Sequence, residues 1–353
     1  MAAFIIYALR WAATLTLLYS MFRVLLRRET FHRMNRAVLL AILVASPLFP
    51  LIPLHTDKPT AFDEILTHIE RSLPSMSPSE DVHVYTTAAK AYVDTAPGLW
   101  AAANAYIYII GIAIALAAYM CQLLSLALLL HRCQRIPHPA VPEDVHLMLG
   151  MSVRQPGSWM HWIIIGPIDL KQNAGPILLH ELAHVRMKHS WDMVLCDLTC
   201  RLLWWLPFVW MLRQDLLDIH EFQADEAVMQ GGVRQEDYEH LLVRKAVQTH
   251  FLPVMNTLRR GAMKKRFAMM YRSRSSHRAR FKLLYLVPAL AACLWVSAQA
   301  EEYEVYLNGK PISKEEMSAI NPATIKQVNV LRIPKTIVIE TVSEPEDSVR
   351  TDR

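Results

Sequence analysis

Glycine and cysteine are scarce in this 353-residue chain, 10 and 5 respectively. Charged residues make up only 20% of it, against roughly 25% in ordinary soluble domains. So few glycines exclude a collagen-like repeat, and so few cysteines exclude a small disulfide scaffold. No CxxC pair occurs among Cys121, Cys133, Cys196, Cys200 and Cys293. A zinc knuckle and a dithiol redox motif are therefore not expected, and these cysteines read as free, buried thiols in or beside apolar stretches. Apolar residues replace the missing charge, at 53% of the chain where roughly 45–50% is usual. That excludes intrinsic disorder as the main state and suggests membrane spans, and the length accommodates two domains besides.

Residues 2–22 (AAFIIYALRWAATLTLLYSMF), with Arg10 their only charge, are long enough to cross the ~30 Å hydrocarbon core. They have no basic n-region and no small-residue cleavage site before Arg23, so an uncleaved span is expected rather than a signal peptide. Residues 37–54 form a second span, kinked or ended by Pro47, Pro50 and Pro53. Residues 99–130 hold a third and 283–300 a fourth candidate. The charges between them set a direction, because Lys and Arg in short loops mark the cytoplasmic side. Residues 23–36 carry five arginines, whereas 55–98 carry three basic and seven acidic residues. The 259–282 segment has ten Lys/Arg and no Asp or Glu. The expected order is thus two spans with a cytoplasmic turn (1–54), an extracytoplasmic loop (55–98), a third span (99–131), a cytoplasmic domain (132–282), a fourth span (283–300) and an acidic external tail (301–353).

Clustered basic charge is also the footprint of nucleic-acid binding. In 259–282 it directly precedes a span and carries no recognition-helix pattern. Topology and attraction to anionic headgroups, about 1 kcal/mol per charge, account for it, so membrane lipid is an expected partner and nucleic acid is not. Residues 193–212 are also apolar and long, but they contain Asp197, Arg201 and Pro207, and each central charge costs ~2.5–3.5 kcal/mol on insertion. They read as a helix packed in the protein core or lying in the interface.

The chemistry centres on His180-Glu181-Leu182-Ala183-His184, an HExxH sequence in a helix-compatible run. Positions i and i+4 share a helix face, so two neutral imidazoles can bind one zinc ion while Glu181 serves as general base. The flanking Ile177, Leu178, Leu179, Leu182, Ala183 and Val185 argue for burial rather than a solvated face. A catalytic zinc takes a third protein ligand, and Glu221 in Glu221-Phe222-Gln223-Ala224-Asp225 supplies it. Asp225, one turn on, is placed to orient a ligating histidine. A span through 193–212 would separate Glu221 from the two histidines by a membrane, which is a further reason to count four spans.

At these residues the chain resembles the BlaR/MecR-type antirepressor family of integral-membrane zinc metallopeptidases, in the Bacteroidetes-like version that lacks a penicillin-binding sensor domain. The resemblance runs through RRETFHRMNRAVLL (27–40), SWMHWIIIGP (158–167), HELAHVRMKHSWD (180–192), LLWWLPFVWMLRQDLLDIHEFQADEAV (202–228) and KKRFAMM (264–270). It implies a multi-pass endopeptidase of the bacterial cytoplasmic membrane. The fold would be mainly α, with a gluzincin-like HExxH domain inserted among four transmembrane helices and a small α+β tail module. It further implies His180, His184 and Glu221 as zinc ligands and Glu181 as base, with His189 and Asp192 of the HSxD pattern in supporting or helix-orienting roles. Its substrate would be a BlaI/MecI-type repressor, and often the protein itself, cut in response to an envelope signal. Covalent beta-lactam sensing is not expected, since only 53 residues follow Ala300 and they contain no Ser-x-x-Lys.

A small sheet is expected near 145–153 and 161–166, with a substrate strand pairing at its edge. In the tail, Asn308-Gly309 predicts a hairpin, and KQVNVLRIP and KTIVIETVS predict two more strands. The tail resembles small plug-like modules of related proteins, which implies an envelope partner, although a stabilising cap explains the same residues. Ala298-Gln299-Ala300 resembles a signal-peptidase site, with an uncleaved anchor preferred. Two other functions fit: an HtpX-type quality-control protease, which shares HExxH and ExxxD, and a non-enzymatic sensor or scaffold with structural zinc.

Overall fold

The computed structural model describes residues 2–52, 55–56, 99–153, 155–172, 174–248, 253–297, 299–300, 304–312, 325–332 and 335–341. The expected extracytoplasmic loop falls almost wholly outside them, as does Ala298. The chain is mostly helical. Three segments, Phe4–Leu25, His32–Leu51 and Tyr106–Arg132, are long and apolar enough to cross a membrane.

Helix α1 (Ala2–Leu25) and helix α2 (His32–Ala45) are joined by a short turn. Beyond α2 the chain continues as a 3₁₀ turn, Phe49–Leu51. Pro50 has no N–H to give to the Ser46 carbonyl, and the Thr14 hydroxyl donates to that oxygen instead, at 3.0 Å. The Pro47 carbonyl is likewise met by the Tyr7 hydroxyl at 2.8 Å, and Trp11 Nε1 donates to Ser46 Oγ at 3.0 Å. Where prolines end α2, the freed carbonyls thus meet side-chain donors from α1, although the Thr14 hydroxyl also reaches the Trp11 carbonyl at 2.9 Å.

After α3 (Leu99–Arg132) comes a four-stranded sheet of β2 (Gln134–Arg135), β3 (His146–Leu149), β4 (Gly157–Trp159) and β5 (Trp162–Ile165), in the order β2-β3-β5-β4. Both expected strand regions are present. Edge strand β4 turns into β5 through Met160, whose φ is 51°. That left-handed turn is held by a hydrogen bond from the Met160 N–H to Ser190 Oγ, at 2.9 Å.

The helices α4 (Pro167–Gln172), α5 (Ala174–Arg186), α6 (His189–Leu202), α7 (Pro207–Gln230), α8 (Gln235–Gln248), α9 (Pro253–Met270) and α10 (Leu286–Ser297) follow. The apolar 193–212 stretch is split between α6 and α7, with Pro207 in the first turn of the latter, where its missing N–H costs nothing. Its charges are partnered: Arg213 Nε bonds Asp197 at 2.6 Å, and Arg201 lies 5.1 Å from the Tyr119 ring centroid and 5.3 Å from that of Trp210. Helix α10 has 12 residues, about 18 Å of rise. Its Pro288 sits in the first turn, and the preceding His277–Tyr285 is 3₁₀.

Two compact units emerge. The larger comprises Tyr7–Ile52 with Tyr106–Ser297, and it has two apolar cores. One is built from α1, α2, α6, α10 and the first half of α7, around Leu15, Phe22, Leu39, Cys200 and Leu212. The other packs α5, α8 and the end of α7 on the sheet, around Leu147, Ile163, Leu178, Leu182, Val228 and Tyr238. Helix α7 belongs to both. Cys196, Cys200 and Cys293 are buried free thiols, as expected, but Cys121 is exposed, because α3 turns much of its apolar surface outward.

The smaller unit contains the strand pair β1 (His55–Thr56) and β6 (Gln299–Ala300) and a second four-stranded sheet. In that sheet β7 (Glu304–Leu307) and β8 (Lys310–Ile312) form the expected hairpin, with Asn308 and Gly309 at φ 48° and 82°, the paired positive φ of a type I′ turn. Strands β9 (Ile325–Arg332) and β10 (Lys335–Thr341) pair antiparallel, and β10 lies parallel to β7.

Candidate metal centre

Helix α5 carries the HExxH residues because Ile177, Leu178 and Leu182 anchor one face in the sheet core, leaving His180 and His184 on an adjoining face toward α7. The chain then reverses at Lys188, in left-handed conformation at φ 59°, so that His189, the first residue of α6, returns beside His184. From α7, Glu221 completes a group whose ligand atoms all lie within 4.8 Å of one another. His180 Nε2 and His184 Nε2 are 3.2 Å apart, and Glu221 oxygens lie 3.6 and 3.7 Å from them. Tetrahedral zinc with ligands at 2.0–2.1 Å requires donor separations of ~3.3 Å. Both spacing and donor chemistry fit a divalent ion such as zinc.

Each histidine presents Nε2 inward because its Nδ1 is engaged behind. On one side the Tyr238 hydroxyl donates to Asp225 Oδ1 at 2.8 Å and lies 2.8 Å from His180 Nδ1. The phenol oxygen therefore accepts the His180 Nδ1–H. Arg266 Nε donates to Asp225 Oδ2 at 2.8 Å, another of its nitrogens also meets Asp225, and a third lies 2.9 Å from Glu221 Oε2. On the other side His184 Nδ1 is 2.8 Å from His189 Nδ1, and His189 Nε2 is 3.0 Å from Gln223 Oε1. The Gln223 oxygen only accepts, so His189 donates from Nε2. Its Nδ1 is left to accept from His184 Nδ1–H, which frees His184 Nε2.

The electrostatics of the two sides differ. Burial opposes charge on His180, but hydrogen bonds accepted by the Asp225 and Glu221 carboxylates prevail and its pKa is raised. Burial, reinforced by the neighbouring His180 charge, lowers that of His184. Burial and the nearby His220 and His184 likewise keep His189 neutral. Burial would raise Glu221, but the His180 hydrogen bond and the Arg266 charge hold it below the usual carboxylate range. Glu181, 7% exposed, has a raised pKa because of burial, offset in part by His180 and by a Ser158 hydrogen bond from edge strand β4.

All the sequence-expected residues thus meet in one place: His180, His184, Glu221 and Glu181 at the centre, with Asp225 and His189 directly behind the histidines. Asp192 stands further back, bonded to His220 Nε2 at 2.8 Å. The pattern did not disclose Tyr238, Gln223, His220, Arg36 or Arg266. Gln223 lies inside the EFQAD phrase and was available as a clue. Arg266 belongs to the basic 259–282 segment, whose charge the topological argument explained only in bulk.

No protein-family model matches the chain, and neither does any curated protein.

Proposed function

We propose that this protein is an integral-membrane zinc-dependent endopeptidase of the antirepressor type, cleaving a cytoplasmic repressor, and in some circumstances itself, in response to an envelope signal. The observation that carries the reading is a buried glutamate, Glu181, set in sequence between two histidines that share a three-donor cluster with Glu221. His180, His184 and Glu221 would hold the zinc ion, which would supply Lewis acidity for the hydrolysis. Glu181 takes the water proton on a carboxylate oxygen and delivers it to the departing amine. Strand β4 has one neighbour, β5, in its sheet, so its outer edge suits an extended substrate backbone, with Ser158 holding Glu181 beside it. Tyr238 and Gln223 keep both imidazoles in the metal-binding tautomer.

The Lys/Arg distribution supports a cytoplasmic catalytic side in a bacterial inner membrane, with a fourth crossing through 283–300. The resemblance to BlaR/MecR-type proteins supports a BlaI/MecI-type repressor as substrate. The test is cleavage of a BlaI/MecI-type repressor by full-length protein in lipid nanodiscs, wild type against Glu181→Gln. The variant is expected to retain a single zinc while losing about 10²–10⁴-fold in rate. Equal cleavage by both would overturn the mechanism. Preferential cleavage of misfolded membrane proteins would favour the HtpX-type reading, and inert wild-type protein with bound zinc would favour a scaffold.

A further inference from the structure

The guanidinium of Arg36, in the first turns of the second membrane helix, reaches into the domain that holds the metal ligands. Its Nε donates to Asp192 Oδ2 at 2.7 Å, and one terminal nitrogen donates to Asp192 Oδ1 at 3.2 Å and to the Met187 carbonyl at 2.6 Å. It therefore grips both the end of the HExxH segment and the first turn of α6. Asp192 accepts from His220 Nε2 at 2.8 Å. The His220 ring stacks on His189, with centroids 4.0 Å apart and planes 10° from parallel, and His189 bonds His184 Nδ1 at 2.8 Å. Asp192, His220 and His189 are all buried, so none of these contacts is traded with solvent. A His189 ring hydrogen-bonded at both nitrogens and covered on one face by His220 cannot turn without displacing its neighbours.

We propose that Arg36 is a positioning residue for the metal ligand His184, acting through Asp192, His220 and His189, so that the second membrane helix helps set the geometry of the metal site. The proposal rests on the metal reading above. It deepens that reading by giving the membrane hairpin a physical part in the site: movement of α2 along or about its axis changes the Asp192 contact first and the His184 ring last. The neighbouring Tyr19 and Arg27 bond Asp215 of α7 at 2.8 and 3.1 Å, so the same hairpin also grips the helix that carries Glu221.

The experiment uses full-length protein in nanodiscs and reads zinc affinity by chelator competition and the visible spectrum of the cobalt(II) form. Arg36→Met is expected to weaken zinc binding by about 10-fold and to alter the cobalt spectrum. Arg36→Lys, which keeps the charge but loses the fork, should fall between. Arg33→Met removes an exposed arginine from the same helix and should change neither. In a His189→Gln background the effect of Arg36→Met should vanish, because the relay is already cut. Wild-type affinity and spectrum in Arg36→Met would overturn the proposal while leaving the metal site intact. Losses that simply add in the double variant would also overturn it, since a general loosening of the fold adds whereas a relay does not. A wild-type protein that binds neither zinc nor cobalt would refute the metal reading itself, and the proposal with it.

Discussion

The two histidines of one HExxH helix are supported by unlike neighbourhoods. Behind His180 stands a charged network made by the domain itself: Tyr238 from α8, Asp225 from α7 and Arg266 from α9. Behind His184 stands a neutral pair, His189 and Gln223, backed through His220 and Asp192 by Arg36 of the apolar α1–α2 hairpin. Both arrangements do the same task, engaging Nδ1 so that Nε2 faces inward. Their energetics differ. A buried ion pair loses heavily if one member is removed, because the other is left as an uncompensated charge. A neutral pair such as His189 and Gln223 loses one hydrogen bond at a time. The difference separates a side built for rigidity from a side whose anchor lies in a helix long and apolar enough to cross a membrane.

The largest effect is expected on the charged side. Asp225→Ala removes the acceptor shared by the Tyr238 hydroxyl and the buried Arg266 guanidinium, which keeps only Glu221, and should destabilise the protein by about 3–5 kcal/mol, measured by denaturant titration in detergent. Zinc affinity should fall by ~10–100-fold. Adding Arg266→Met should recover part of the stability, because the buried cation that has lost its two-oxygen partner is then gone. If Asp225→Ala instead costs no more than a variant on the neutral side, the contrast between the two networks is wrong.

Gln223→Leu tests the neutral side. It strands the buried His189 Nε2–H, a loss of about 1–3 kcal/mol, and removes the acceptor that fixes the tautomers of His189 and then His184. Zinc affinity should fall about 10-fold, read by chelator competition. Because no charge is orphaned, stability should suffer less than in Asp225→Ala even where metal affinity suffers comparably.

The sequence disclosed the central residues and much less of what supports them, for a physical reason. HExxH and EFQAD are local patterns on helices, and the helical period alone brings their ligands to one face. The tail hairpin is equally local: Asn308-Gly309 satisfies its own turn. The partners in the two networks come from helices far apart in the chain, and no local spacing encodes them. Arg36 is one of several arginines in its turn, and the positive-inside argument counts such charges without distinguishing them. Tyr238 carries no signal at all, reading as one more core residue beside Leu241 and Leu242 on its helix. Residues 283–300 read as one apolar run, yet the α-helix begins only at Leu286, with Pro288 in its first turn. Composition sets hydropathy there, while a single missing N–H sets where the helix begins.

A finer probe is Tyr238→Phe, which deletes one hydroxyl and leaves the ring in its core. Asp225 keeps Arg266, so the loss should be near 1 kcal/mol, and zinc affinity should drop by less than the Gln223→Leu change, because Asp225 Oδ1 already lies 3.4 Å from His180 Nδ1 and can accept its proton after a small shift. A Tyr238→Phe effect exceeding that of Gln223→Leu would show that the phenol, rather than the carboxylate behind it, fixes His180.

The smallest effect belongs to Lys265, the immediate neighbour of Arg266 in the basic segment. Its ammonium contacts Asp218 at 2.5 Å, but its side chain is 40% exposed, and ion pairs in contact with water contribute only about 0–1 kcal/mol. Lys265→Met should therefore leave zinc affinity unchanged and shift stability by at most about 0.5 kcal/mol, whereas Arg266→Met alone leaves the buried Asp225 carboxylate short of its cation and should approach the cost of Asp225→Ala. Comparing two adjacent basic residues separates two explanations of the 259–282 cluster. If its charge served only to orient the chain in the membrane, the two substitutions would be equivalent. A large difference between them would mean that α9 belongs to the metal site through one residue and to the membrane surface through the rest.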